Sequence, residues 1–170
     1  MTSLRIEPVV GYTPTIGRLV GMLAYARQTL LAAVAGLSRE QLDHLHDPAS
    51  NSIGALLAHA AAVERWYQTF TFEGRRPSER ETRELSAALD LGDEGRRTLR
   101  GRELDEYLEE LARVRHATLE GLGTRDDAWL EATLPHAPEM NAHWAWFHVM
   151  EDELSHRGQI RWLRARLGDR

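Results

Sequence analysis

Three polar residues with ligand chemistry recur at four-residue steps late in the sequence. They are His148, Asp152 and His156, and successive members differ by about 40° around an α-helix, so they would line one stripe. Imidazole nitrogens and carboxylate oxygens are ligands that divalent transition metals favour. The same spacing is common on solvent-exposed helices, where such a pair contributes only about 0.2–0.5 kcal/mol. The spacing therefore indicates a metal site only if its surroundings are apolar.

Apolar and aromatic residues do surround the stripe. They are Val149, Leu154 and Ile160, together with Trp144, Phe147 and Trp162. Ionisable side chains rarely lie on such a face unless they are paired or bind a metal. Glu151 and Glu153 lie about 100° to either side of Asp152, and at least one of them is expected to face solvent.

A further candidate ligand, His59, lies in the alanine-rich run from Ala55 to Ala62. Alanines would let another helix approach closely and would leave space around the imidazole. A lone histidine in such a run is more often a packed core residue, so spacing alone leaves both interpretations open. Most of the other histidines are expected in loops or at the surface: His44, His46, His116, His136 and His143.

Counting motifs excludes two other kinds of metal protein. A ferritin-like di-iron site needs Glu-x-x-His on two helices, whereas this sequence has one, Glu153-x-x-His156. The sequence has no His-Glu-x-x-His zinc-protease motif. A mononuclear site with three protein ligands and open positions fits the residues better, and open positions indicate reactivity.

The composition removes several other chemistries. All 21 basic residues are arginine, and the sequence contains neither lysine nor cysteine. The absence of lysine excludes a lysine Schiff base and the lysine of a phosphate-binding loop. The absence of cysteine excludes a disulfide framework, a cysteine-ligated metal and a thiol nucleophile of the chain's own. The net charge of −5 is opposite in sign to that of a nucleic-acid-binding domain.

No segment predicts membrane insertion or export. The longest apolar stretch, residues 19–35, is interrupted by Arg27 and Gln28, and the residues from Met1 to Pro8 contain no apolar core of signal-peptide length. We therefore expect a cytoplasmic protein that contacts neither a membrane nor a nucleic acid.

Four long segments with helical periodicity predict an all-α protein, a four-helix bundle that forms a single domain over residues 1–170. Residues 75–102 mix charges of both signs and contain Pro77 and several glycines, which predicts a long solvated crossover between the second and third helices. Ser38 and Gln41 predict a capping box for one short helical turn. The predicted long helices run from the Thr13-Pro14 cap to Gly36, from Asn51 or Ser52 to Gly74, from Glu103 to Leu122, and from Asn141 to Leu167 before Gly168.

Two segments together resemble the DinB-like family of helical bundles. They are Asn51-Ser-Ile-Gly-Ala-Leu-Leu-Ala-His59-Ala-Ala-Ala-Val-Glu64-Arg-Trp-Tyr67 and His148-x-x-x-Asp152-x-x-x-His156-Arg-Gly-Gln-Ile160. The likeness extends from the Leu37-Ser38 turn through the rest of the chain. It implies an up-down-down-up bundle, often a dimer, that binds one divalent metal ion such as zinc or nickel.

The resemblance also implies a ligand set. In the family a histidine of the second helix joins two residues four apart on the last helix, which here are His59, Asp152 and His156. The middle ligand is more usually histidine or glutamate, so the shorter aspartate must still reach the ion. His148 is then a fourth ligand, a partner that orients Asp152, or a packed core histidine, and the last two are favoured.

The resemblance favours a metal-dependent transferase that joins a low-molecular-weight thiol, such as mycothiol or bacillithiol, to a small electrophile in stress or detoxification. The alternatives are a metal-dependent hydrolase and a non-catalytic bundle whose structural metal is closed off by His148.

Arg65 and Arg157 are expected to hold a substrate carboxylate or to pair with Glu64 or Glu153 at the surface. Four tryptophans are candidates for the walls of a substrate cavity or for plain core: Trp66, Trp144, Trp146 and Trp162.

Overall fold

A computed structural model describes residues 5–167, so Met1–Leu4 and the predicted helix stop at Gly168 lie outside the described residues. The described chain is mostly helical. Its long helices are α1 (Pro14–Val34), α3 (Ile53–Tyr67), α6 (Leu104–Gly123) and α8 (Ala142–Arg164). The short elements are α2 (Arg39–Asp43), a π-helical turn (Gln68–Phe72), α4 (Glu79–Asp90), α5 (Gly92–Thr98), α7 (Asp127–Glu131), β1 (Thr133–Leu134) and β2 (Ala137–Asn141).

The ends of the long helices follow from local sequence. The Ser52 side chain accepts a hydrogen bond from the Ala55 N–H and begins α3, and the capping box of Ser38 and Gln41 begins α2 as predicted. Gly36 and Gly74 have φ of +75° and +63°, backbone conformations that favour glycine, and they follow α1 and the π-helical turn. Contrary to expectation, the Thr13 side chain does not cap α1. The Asp127 carboxylate accepts hydrogen bonds from the N–H groups of Thr15 and Ile16 instead.

Side-chain contacts between the long helices establish the up-down-down-up order. Arg157 and Arg164 of α8 reach Thr29 and the Ala33 carbonyl of α1, so these two helices are parallel. The contacts of α3 with α6 advance in the same direction along both helices, whereas those of α3 with α8 run in opposite directions. At one end α3 and α6 approach so closely that a Cβ on Gly54 would lie 2.7 Å from the Tyr107 hydroxyl.

The segment between α3 and α6 is the predicted crossover, and it contains two short helices of its own. Capping at Ser78 and an Arg80–Glu84 pair stabilise the exposed helix α4, whose Leu85 is buried. The two-stranded antiparallel hairpin β1–β2 before α8 was not predicted. Its strands are too short to show the alternation that identifies a strand in a sequence.

Two apolar clusters form the core, and a layer of charged side chains lies between them. One cluster contains Leu30, Leu57 and Ile160, and the other contains Leu23, Val63 and Trp146. On α1, Arg27 falls between Leu23 and Leu30, and on α3, Glu64 follows Val63. Both charged side chains are buried.

Within residues 5–167, no helix is both long enough and apolar enough to cross a membrane. This agrees with the expectation drawn from Arg27, which interrupts the apolar stretch of α1. The side chain of Arg27 is buried in ion pairs with Glu64 and Glu153.

Candidate metal and substrate site

Helix α3 holds His59 against the crossover. The alanines around it are buried, so their small side chains let α3 pack closely against its neighbours. The Nδ1 of His59 lies 2.7 Å from the carbonyl oxygen of Ala88 in α4. Because a carbonyl can only accept, Nδ1 carries the proton, and the neutral ring presents the Nε2 lone pair to the site.

Helix α8 brings Asp152 and His156 to the same place. Asp152 Oδ1 lies 3.5 Å from His59 Nε2 and 3.2 Å from His156 Nε2. The two imidazole rings meet edge to face with centroids 4.6 Å apart. The three side chains are only 12–15% exposed. The short aspartate therefore reaches both histidines.

The electrostatics of the three side chains favour an ionised carboxylate. Burial raises the pKa of Asp152, but its hydrogen bonds to His156 and His59 outweigh burial and hold that pKa well below the usual range. Burial lowers the pKa of His59, but Asp152 and the Ala88 carbonyl outweigh it, and the net shift is upward. A proton and a metal ion therefore compete for His59.

The residues present fit a divalent metal ion. His59, Asp152 and His156 each offer one ligand atom, and these atoms lie within 4.8 Å of one another. Asp152 Oδ2 and His156 Nδ1 are buried without a hydrogen-bond partner, which is costly for polar atoms. Two nitrogens and an oxygen suit zinc or nickel better than calcium or magnesium, which prefer oxygen.

A cavity of about 290 Å³ opens beside these three residues. His59 and Asp152 line it, and its other walls are apolar or aromatic: Val63, Trp66, Tyr67, Leu89 and His148. Burial, followed by the negative charge of Asp152, raises the pKa of Tyr67. The phenol therefore stays protonated at neutral pH and can donate a hydrogen bond into the cavity.

His148 lies at the wall of this cavity and outside the three-residue group. Its Nδ1 is 3.1 Å from Glu151 Oε2, so its polar partner is Glu151 and not Asp152. The ring stacks on Trp144 and meets Tyr67 edge to face. These contacts differ from the expectation that His148 orients Asp152, and they make it part of the aromatic wall.

Four buried charged residues form a network beside the site. Glu64 and Glu153 are 0% and 2% exposed, and each accepts hydrogen bonds from both Arg27 and Arg115. The expectation that Glu64 or Glu153 pairs at the surface with Arg65 or Arg157 is therefore wrong. Arg157 instead donates to the Thr29 hydroxyl. Of the two acidic neighbours of Asp152, Glu151 is the exposed one, as the helical geometry allowed.

The four tryptophans have different environments. Trp66 lines the cavity, and Trp146 is fully buried in the core. Trp144 and Trp162 are nearly half exposed. The tryptophans therefore do not form one wall, and Trp66 is the one beside His59.

Sequence reasoning missed the groups contributed by the crossover. The Ala88 carbonyl fixes the ring of His59, and Leu89 lines the cavity. A main-chain carbonyl and a single leucine in a charged segment offer no residue-type signal for either contact. Tyr67 lies within the motif, but an aromatic residue at the end of a helix is common in cores, so its residue type gives no functional signal.

Two comparisons with known proteins agree with this architecture. The family model described as mycothiol-S-transferase matches residues 18–168. The crystal structure of the conserved protein of locus from Enterococcus faecalis is 17% identical in sequence, covers 86% of this chain and 92% of that chain, and has a TM-score of 0.63. At this identity the likeness shows the fold alone. The comparison with curated proteins gave no match.

Proposed function

We propose that this chain, which belongs to the mycothiol-S-transferase family of DinB-like proteins, transfers a low-molecular-weight thiol to an apolar electrophile with the help of a divalent metal ion. The observation that carries the proposal is the convergence of His59, Asp152 and His156 beside an aromatic cavity. The chain has no cysteine, so the sulfur must come from a cosubstrate.

The metal site of this proposal consists of His59, Asp152 and His156. A divalent ion bound there supplies positive charge that lowers the pKa of a thiol next to it. The Ala88 carbonyl holds the proton of the neutral His59 ring on Nδ1, which leaves Nε2 for the ion; ligand histidines in metal sites commonly make such a bond with their other nitrogen. Asp152 provides the one negative charge among the three side chains.

The cavity beside the site suits an apolar electrophile. Val63, Trp66 and Leu89 form its apolar walls, and about 290 Å³ is close to the lower limit of ordinary ligand pockets. The phenol of Tyr67 can donate a hydrogen bond to an electronegative atom of the electrophile.

In the reaction that we propose, the sulfur forms a bond to an electrophilic carbon. In a displacement, the bond to the leaving group breaks, the leaving group takes the bonding electrons, and the proton of the thiol ends on the leaving group or on water.

We also propose, from the family resemblance, that the protein is a cytoplasmic homodimer with a role in stress or detoxification. The dimer is tested by sedimentation, which would give twice the 19.3 kDa mass of the chain.

Metal analysis followed by a conjugation assay tests the proposal. Purified protein is expected to hold about one divalent ion per chain and to conjugate mycothiol to small electrophiles. His156→Ala removes one of three ligands and is expected to lose most of the metal and the activity.

His116→Ala is the matched control, because His116 is an exposed histidine of α6 whose one ion pair among the described residues is with Glu120. It is expected to retain both the metal and the activity. Equal metal content in the wild type and in His156→Ala would contradict the proposed site. Full activity after complete metal removal would contradict the role of the metal.

A further inference from the structure

A second cavity, of about 610 Å³, lies against α8 beyond His156. Its polar lining consists of hydroxyl and amide side chains, namely Ser50, Asn51, Ser155 and Gln159, and Trp162 forms a wall. No charged side chain of the described residues lines it. The lining therefore suits a neutral ligand with many hydrogen-bonding groups, since hydroxyl and amide groups both donate and accept.

Two of these side chains have unmet hydrogen-bonding capacity. Asn51 Oδ1 is buried without a partner, and Asn51 does not cap α3, because Ser52 does. The Gln159 amide is exposed and makes no hydrogen bond to another described residue. A buried polar atom without a partner is unfavourable, so a ligand hydroxyl that donates to Asn51 would be stabilising.

Trp162 is held in place while remaining 46% exposed. The Arg166 guanidinium lies 3.7 Å from the centre of the indole ring, and His46 meets that ring edge on at 4.7 Å. A fixed indole beside hydroxyl and amide groups combines apolar contact with hydrogen bonding. This combination suits the ring of a sugar, which has both apolar C–H surface and hydroxyl groups.

The second cavity faces the same side of α8 as the metal-binding residues. Gln159 is about 20° from Asp152 around the helix, and it lies about 4.5 Å along the axis from His156. Trp162 lies about 9 Å along the axis from His156. The two cavities therefore flank the three residues, with the aromatic cavity on the His148 side and the polar one on the Gln159 side.

We propose that the second cavity binds the polyhydroxyl part of the thiol cosubstrate and points its sulfur toward His59, Asp152 and His156. This inference rests on the proposed function. Mycothiol carries its cysteinyl group on an amino sugar linked to a cyclitol, so most of its surface is neutral hydroxyl. The aromatic cavity remains free for the electrophile.

Kinetics with two thiols test the inference. Gln159→Ala and Trp162→Ala are each expected to raise the KM for mycothiol about three- to tenfold, because each removes one good contact with the sugar. The kcat is expected to change little. N-acetylcysteine has no sugar, so its KM is expected to stay the same in both variants. Gln28→Ala is the matched control, because Gln28 is also an exposed helical glutamine without a hydrogen-bond partner, on α1.

Calorimetry with S-methyl mycothiol, which cannot react, gives a readout that does not depend on turnover. Metal-free wild-type protein is expected to bind it, and Gln159→Ala and Trp162→Ala to bind it more weakly by a similar factor. Equal effects on both thiols, or the same mycothiol KM in Gln159→Ala and Gln28→Ala, would place the sugar elsewhere and overturn the inference.

The same experiments separate the two proposals. Wild-type protein that binds S-methyl mycothiol through Gln159 and Trp162 but transfers no sulfur would refute the proposed function and support the sugar site. Wild-type protein that transfers sulfur from both thiols, with KM values unaffected by either substitution, would support the function and overturn the sugar site. Absence of both binding and transfer would overturn both.

Discussion

His148 shows how neighbouring residues of one stripe acquire different roles. It follows the same four-residue spacing as Asp152 and His156, yet its Nδ1 bonds to Glu151 and its ring packs between Trp144 and Tyr67. Spacing places a side chain on a face, and the partner helix decides what it meets there. Here α3 presents His59 opposite Asp152 and Tyr67 opposite His148.

We predict that His148→Ala leaves the metal content unchanged and raises the KM for an aromatic electrophile about three- to tenfold, because one wall contact is lost. The KM for the thiol is expected to stay within twofold. Steady-state kinetics and metal analysis on the same preparation measure both effects.

His143→Ala is the control for this prediction. His143 is on the same helix, has similar exposure and also pairs with a glutamate, Glu131, but it does not line the cavity. It is expected to behave like the wild type. Loss of the metal from His148→Ala would instead identify His148 as a ligand.

At the scale of residues, the sequence predicted the candidate side chains but not the groups that they contact. The Asp152–His156 pair is local to one helix, so helical geometry alone brings it together. The bond from His59 to the Ala88 carbonyl joins residues of two elements through a main-chain atom that any residue would provide. No residue type could have indicated it.

At the scale of elements, Asp127 joins the short helix α7 to the beginning of α1. Its carboxylate accepts hydrogen bonds from the N–H groups of Thr15 and Ile16 and from the hydroxyls of Thr13 and Thr15. These N–H groups have no partner within α1, so a residue more than a hundred positions away caps the helix. A negative charge at this end also interacts favourably with the helix dipole.

This contact makes a prediction about acid stability. The Thr13 hydroxyl, followed by the N–H groups of Thr15 and Ile16, lowers the pKa of Asp127 from 3.8 to about 2. Because the pKa is lower in the folded state, the contribution is complete above pH 3.8 and is lost as the pH falls toward about 2.

Asp127→Asn is therefore expected to lower the Tm by several degrees at pH 7, with the difference from the wild type shrinking below pH 3.8 and vanishing near pH 2. Thermal unfolding followed by circular dichroism over this range measures it. Asp90→Asn is the control, since Asp90 is exposed and makes no hydrogen bond to the described residues. A Tm difference independent of pH would contradict the account.

Periodicity predicted the long helices because each buries one apolar face over many turns. The ends of α2 and α3 were also predictable, from Ser38 and Ser52. The cap of α1 was not, since Thr13 and Pro14 resemble an ordinary local cap, whereas Asp127 meets Thr13, Thr15 and Ile16 through a tertiary contact.

At the scale of the whole molecule, Arg27, Glu64, Arg115 and Glu153 join all four long helices. The two arginines also donate to main-chain carbonyls of Leu111 and Leu23. Burial raises the pKa of Glu64, but Arg115 and Arg27 outweigh burial and hold it below the usual range. Two positive and two negative charges balance, so the layer is stable only as a complete set.

We predict that Glu153→Gln lowers the free energy of unfolding by about 3 kcal/mol, because it leaves one buried arginine charge without compensation. Urea unfolding measures the change. Glu151→Gln, at an exposed position of the same helix, is expected to change it by less than about 0.5 kcal/mol. Equal effects of the two substitutions would contradict the role of the charged layer.

This layer could not be predicted from the sequence, although every member was visible in it. Arg27 interrupts an apolar stretch, Glu64 lies in the same helical segment as His59, and Glu153 adjoins Asp152. Which charge meets which depends on the register of four helices, and this is fixed only when the apolar clusters on both sides pack. The bundle itself follows from the helical pattern, and the charged layer from its assembly.

The separation along the chain of the three proposed ligands, His59, Asp152 and His156, would affect when a metal ion can bind. His59 leaves the ribosome more than ninety residues before Asp152 and His156. During that interval α3 presents a single imidazole, and one ligand holds a metal ion only weakly. A nascent chain therefore cannot retain an ion until α8 emerges and docks. At the proposed site, metal binding would therefore follow the synthesis of α8.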